Sequence, residues 1–208
     1  MVTSESTSPA ARPSARLVDV LDVERKIPAA LEALGPLAGL DVALVDAADV
    51  HAQRLEPLKA RLHRVARADG RAIELDDASV DRVVSLWSGF GGANPAEIAE
   101  ADRVLRPGGR LLVVHDYGRD DVSRLLEPDL PAFTSWSRPH GPFLGAGFKI
   151  RVVHCFWTFR DVDEAREVIA EEFGARGAGL AETLQRPRLS WNVAVYHRDR
   201  PAEDIARR

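Results

Sequence analysis

Cysteine is almost missing from this chain. Of 208 residues only Cys155 carries a thiol, so an internal disulfide is excluded, and so is a zinc site built on paired cysteines. A lone cysteine inside an apolar run reads as a small buried hydrophobe rather than a nucleophile. Lysine is scarce as well: 25 of the 28 basic residues are arginine, which reflects base composition more than a binding surface. No excess of positive charge exists. The net charge is -4 and the pI about 5.9, so no electrostatic footprint for nucleic acid is present. No apolar run approaches the roughly 20 residues of a membrane span. The first residues, Met1 to Ser14, hold Ser, Thr, Pro and Ala with Glu5 and lack the apolar core of a secretory signal. The histidines are too scattered to argue for a metal. Glycine is absent before Gly35. These absences lead us to expect a cytoplasmic protein with neither membrane nor nucleic acid as partner.

Length and composition suit one domain. Residues 1–15 read as a disordered tail, 16–199 as the domain and 200–208 as a frayed end. Within it, strand and helix patterns alternate, which argues for a parallel sheet with helices on both faces. Strands are expected at Arg16 to Val20, Asp41 to Asp46, Arg64 to Ala68, Val80 to Trp87 and Arg110 to His115. Two more are expected at Phe148 to Phe159 and Leu189 to His197, the last antiparallel. Helices are expected from Lys26 to Leu34, from Val50 to Leu62 with a kink at Pro57, and after the capping box Asn94-Pro95-Ala96-Glu97. A final helix runs from Asp161 to Phe173, with Gly174 as its stop. Residues 117–147 are irregular and read as a lid-like insertion.

Two stretches carry a family resemblance: ADGRAIELDDASVDRVVSLW (Ala68 to Trp87) and ADRVLRPGGRLLVVH (Ala101 to His115). They resemble the class I S-adenosylmethionine (SAM)-dependent methyltransferases of type 11. The resemblance implies an α/β three-layer sandwich, Rossmann-like, with a mostly parallel sheet and an antiparallel last strand. It implies SAM as cofactor and a small molecule as substrate. Carried residue by residue, Asp46 matches the carboxylate that holds the ribose hydroxyls, Asp69 the residue near the adenine amino group, and Asp19 the acid facing the methionine end. Ser88 opens the glycine-rich stretch Ser88-Gly89-Phe90-Gly91-Gly92-Ala93-Asn94, a connection beside the cleft and a candidate cofactor contact.

The first loop departs from the family. Where the family has Gly-x-Gly-x-Gly opening a helix, this chain has Leu21, Val23 and Arg25. Glycine is needed there because backbone must approach the ligand closely and adopt positive φ. The glycine loop is therefore degenerate while its flanking elements fit.

Ligands of open α/β sheets bind outside the carboxyl ends of the strands. That draws attention to Trp87 and Ser88, and to His115, Asp116 and Tyr117. His115 and Tyr117 are candidates for acid–base chemistry; neighbouring side chains on an extended segment point opposite ways, so His115 and Asp116 are not expected to pair. His140, with Trp136, Arg138 and Phe143, adds candidates from the lid-like insertion. Three readings stay open: a methyltransferase with a remodelled loop, a non-catalytic relative (a pseudoenzyme) that pairs with a partner methyltransferase or forms a homodimer, and an enzyme that reuses the cleft for other chemistry on a small-molecule ligand.

Overall fold

The computed structural model describes residues 17, 20–53, 55–67, 72–126 and 135–201. Strands β1 (Asp41–Val45), β2 (Arg61–Val65), β3 (Val80–Leu86), β4 (Leu105–Asp116), β5 (Lys149–Thr158) and β6 (Arg188–Asp199) form one sheet, in the order β2-β1-β3-β4-β6-β5. The β1, β2, β3 and β4 pairings are parallel, and β6 runs antiparallel to both β4 and β5. The α/β three-layer, Rossmann-like class expected from the sequence is the one observed.

Helices cover both faces because the strands are apolar on both sides. On one face α1 (Lys26–Leu34) and the first half of α6 (Val162–Thr183) bury Ile27, Ala30, Leu31, Ala165, Val168 and Ile169 over Leu44, Val84 and Val114. On the other, α3 (Pro95–Val104) buries Ile98, Ala101 and Val104 over Ala43, Val83 and Val113. Short helices α2 (Asp49–Gln53), α4 (Asp121–Leu126) and α5 (Pro142–Gly145) complete the chain.

Among the described residues no strand of the sheet corresponds to the expected first one. Arg16, Val18 and Asp19 lie outside the described residues, but Leu17 and Val20 are helical, and Leu21 makes only an isolated antiparallel bridge to Trp157 of β5. Leu17, Val20 and Leu21 are all buried in the core, Leu17 and Val20 at the i, i+3 spacing of one helical face. In a doubly wound sheet the first strand lies between the second and the fourth. Here those two, β1 and β3, are hydrogen-bonded to each other, with Val42 opposite Arg82 and Val45 opposite Ser85.

Other expectations need smaller corrections. Pro57 ends the second helix rather than kinking it: α2 stops at Gln53, and Pro57 sits in a separate 3₁₀ turn, Glu56–Leu58. The next strand consequently starts earlier, at Arg61. Gly174 breaks α6 (φ 55°, ψ -134°), but the chain resumes helix as far as Thr183. Arg200 is not frayed, since its N–H donates to Gly109 O at 2.8 Å. Residues 1–16 and 202–208 lie outside the described residues.

Candidate functional site

The carboxyl ends of β1, β3 and β4 converge on one rim. Its backbone is held in the left-handed region by residues other than glycine: Asp46 (φ 49°), Trp87 (φ 53°), Phe90 (φ 61°) and Arg119 (φ 64°). Each such residue costs of order 1–3 kcal/mol, and such strain concentrates where ligands are clamped or chain ends are forced together.

Asp46 follows β1 directly. Its Oδ1 accepts the Arg67 backbone N–H at 2.6 Å and its Oδ2 accepts Arg67 Nε at 2.7 Å. Arg67 Nη1 reaches across to Glu97 Oε1 at 2.9 Å, and the guanidinium lies over the Phe90 ring. The Arg67 side chain is only 2% exposed. A Cβ on Gly89 would stand 2.4 Å from Arg67 Nη2, so the glycine-rich stretch wraps a guanidinium of the chain itself. Glu97, expected to complete a capping box, is spent on Arg67. Asn94 alone caps α3, accepting Ala96 N–H at 3.0 Å.

Ser88 faces inward as well. Its Oγ donates to Val45 O at 2.9 Å and lies 3.2 Å from Ser85 Oγ. Asp19 and Asp69 lie outside the described residues.

The first loop turns without glycine. Asp22 and Arg25 take positive φ (45° and 56°) where the family's loop has glycines nearby. Asp22 then caps α1 with both oxygens, accepting Lys26 N–H at 2.8 Å and Ile27 N–H at 2.9 Å. A helix N-terminus that would attract a ligand's negative charge is thus met by the chain's own carboxylate.

After β4, His115 and Asp116 point apart, as strand alternation requires. His115 Nε2 lies 2.9 Å from Gly89 O, and since a carbonyl only accepts, that nitrogen carries the proton. Burial holds the imidazole well below its ordinary range, at about 4, so it is neutral at pH 7. Asp116 Oδ1 accepts Trp191 Nε1 at 2.8 Å, and burial pushes its carboxyl up to about 6. Tyr117 is anchored by its N–H to Asn192 O at 2.9 Å, with Arg119 over its ring. From the irregular segment, Trp136 packs edge-on against His115 at 5.1 Å and lies over Gly91 and Gly92, while Phe143 stacks on Tyr196. His140 is exposed on the turn before α5. Cys155 is buried, and burial pushes its thiol up to about 12, which makes it inert.

Between the first loop and β3 lies a narrow apolar cleft with room for about one water molecule, lined by Leu21, Ile27, His51, Leu55, Trp87 and Trp191 among others. Trp87 stacks on Trp191 at 5.4 Å. Among the described residues no group of His, Cys, Asp or Glu could hold a metal, and no helix is long and apolar enough to cross a membrane. Sequence reasoning missed Arg67, Glu97 and Asp22. Nothing in the local sequence marked Arg67, which falls inside the strand expected at Arg64 to Ala68; its place two residues beyond β2 emerges only from the fold.

The architecture is that of the class I methyltransferase fold. Residues 29–113 match the family model of the methyltransferase domain, and over that stretch the chain is similar to the class I SAM-dependent methyltransferases. The match begins inside α1, past the first loop. Among solved structures, one from Anaeromyxobacter dehalogenans, assigned as a type II methyltransferase, is 16% identical with a TM-score of 0.53, covering 86% of this chain and 97% of that one. A SAM-dependent methyltransferase of Aquifex aeolicus is 15% identical with a TM-score of 0.49, covering 88% and 93%. A phosphoethanolamine N-methyltransferase of Haemonchus contortus, solved with SAM, is 14% identical with a TM-score of 0.47, covering 86% of this chain and 53% of that one. No curated protein matches the chain significantly.

Proposed function

We propose that this chain is a non-catalytic methyltransferase-fold protein, a pseudoenzyme that serves as a partner domain rather than turning over SAM. The observation that carries this reading is the direct pairing of β1 with β3, which takes the place of the strand that presents the glycine loop. Two further arrangements support it. The carboxylate matched to the ribose hydroxyls has both oxygens engaged by Arg67, and the N-terminus of α1 is capped by Asp22. The residues at this end do not fit SAM held in the family's way, so no methyl-transfer step is derived for His115, Tyr117 or His140. The test is calorimetry of the purified protein with SAM and with its demethylated product. No measurable heat is expected from either; micromolar binding lost on Asp46→Ala would restore the methyltransferase reading.

One observation favours a second reading, reuse of the cleft. The apolar lining and the stacked Trp87–Trp191 pair match the chemistry of a flat, uncharged small molecule, which would have to widen the cleft to enter. Quenching of tryptophan fluorescence by such a compound, lost on Trp87→Ala, would favour it over the partner role.

A further inference from the structure

Strand β5 is an edge of the sheet, paired on one side with β6 in an unbroken register from Lys149 opposite His197 to Thr158 opposite Arg188. In an antiparallel strand the N–H and C=O of a residue point to the same side, and the sides alternate. Phe156 O accepts Asp22 N–H at 3.3 Å from outside the sheet, which sets the phase. The backbone groups of Ile150, Val152 and His154 therefore point outward too. No described backbone group hydrogen-bonds to them.

The side chains beside this edge are distinctive. On one face Val152 and Phe156 are half-buried without joining either core cluster, and His154 is exposed. On the opposite face Lys149 and Arg151 are exposed. Lys26 and Arg188 both lie over the Phe156 ring, at 5.0 and 4.4 Å. Glu24, paired with Lys26, and Asp199, close to Lys149, are acids beside them. Lysine and arginine on this edge oppose pairing with another copy in the registers that set Arg151 opposite itself or opposite Lys149, where like charges meet across the ladder. They favour an extended segment of opposite charge.

We propose that the β5 edge over residues 149–155 is a docking site for an extended acidic segment of a partner protein, which adds as a further strand. Main-chain hydrogen bonds to Ile150, Val152 and His154 supply affinity, half-buried Val152 takes the partner's apolar side chains, and Lys149 and Arg151 select acidic ones. This names the contact surface of the partner role above and rests on that reading.

The test uses the full chain and two capped heptapeptides, alternating Glu-Val and alternating Lys-Val, followed by fluorescence anisotropy and amide hydrogen exchange. Binding of the Glu-Val peptide with slowed exchange at Ile150, Val152 and His154 is expected. The double substitution Lys149→Glu, Arg151→Glu should weaken it about tenfold. Val152→Pro should abolish it while leaving the β5–β6 ladder whole, since the lost N–H points outward. Should that variant fail to fold, a Glu-Val peptide methylated at alternate backbone nitrogens must fail to bind the unaltered protein. No binding, equal binding of the Lys-Val peptide, or a self-association that Val152→Pro dissociates would overturn the proposal, the last by making a second copy the occupant. Calorimetry with SAM tests the non-catalytic reading separately, so heat from SAM alongside intact peptide docking would sink that reading and leave the edge standing.

Discussion

Two glycine-bearing turns of the methyltransferase pattern have met opposite fates in this chain. The bulge within β4 holds Pro107-Gly108-Gly109, where a turn into a strand starting at Arg110 was expected. Gly108 sits at φ 75°, and a Cβ on Gly109 would come within 2.8 Å of Arg106 O and 3.0 Å of Asp81 O. The loop before α1 has lost all its glycines, and Leu21, Val23 and Arg25 stand at their positions. The first pair of glycines answers to the chain's own packing: between Val80 and Arg82 the register of β4 jumps from Leu105 to Arg110, and the turn takes up the excess. The second set, in the family, answers to a ligand. The difference teaches which glycines the fold itself requires. Leu21 is now buried core, Val23 is 55% exposed, and Arg25 adopts the left-handed conformation without glycine's help.

The strongest way to break this comparison is Arg67→Ala. It leaves Asp46 and Glu97 facing each other without their cation, and a loss of about 3–5 kcal/mol in chemical denaturation is expected. If the variant instead kept its stability and bound SAM, Arg67 would be only a plug in an intact site. Next in size is Gly109→Val, where the added side chain meets two backbone carbonyls. A loss of about 1–3 kcal/mol is expected, and an unchanged thermal midpoint would show that the turn can relax. Asp22→Ala removes the cap from α1 and should cost about 1 kcal/mol. Arg25→Gly should be nearly neutral or stabilising by up to about 1 kcal/mol, because relief at positive φ is offset by the entropy of glycine; neither glycine there nor at position 23 should bring SAM binding back.

The pH response sharpens the picture at the other strand end. His115 is held at about 4, below its ordinary 6.5, so it binds fewer protons folded than unfolded; its contribution is complete above pH 6.5 and is lost as pH falls toward 4. Asp116 is raised from 3.8 to about 6, so its contribution is present below pH 3.8 and is lost as pH rises through 6. Between pH 4 and 6 the two oppose each other. Replacing His115 by Gln should leave a variant whose stability falls as pH rises across that window, and a flat profile would mean that Asp116 titrates normally.

Much of the scaffold was legible because it follows from local pattern. The limits of α1 at Lys26 and Leu34 come from a 3.6-residue apolar period and the Gly35-Pro36 stop, and β3 and the part of β4 from Arg110 onward come from apolar runs, whereas β4 already begins at Leu105, before the Pro-Gly-Gly that was expected to precede it. The misses share a cause. Leu17-Val18-Asp19-Val20-Leu21 satisfies a strand by composition and a helix by spacing, and only tertiary packing decides between them. Arg67 was passed over because its two partners lie 21 and 30 residues away, and no local rule joins a strand-end base to a helix acid. His115 was found as a residue, but its partner Gly89 was invisible until β3 and β4 stood side by side.

The zipped seam between β1 and β3 also bears on reversibility. Neighbouring strands stand about 4.8 Å apart, so a lost central strand leaves no slot behind it. Glycines written back at 21, 23 and 25 would restore a motif with nowhere to insert. Adopting the family's arrangement would mean parting four consecutive residue pairs, from Val42–Arg82 to Val45–Ser85, before any new pairing repaid the loss. The seam therefore closes the centre of the sheet by its own hydrogen bonds, so glycines alone cannot make a loop where no strand leads into it.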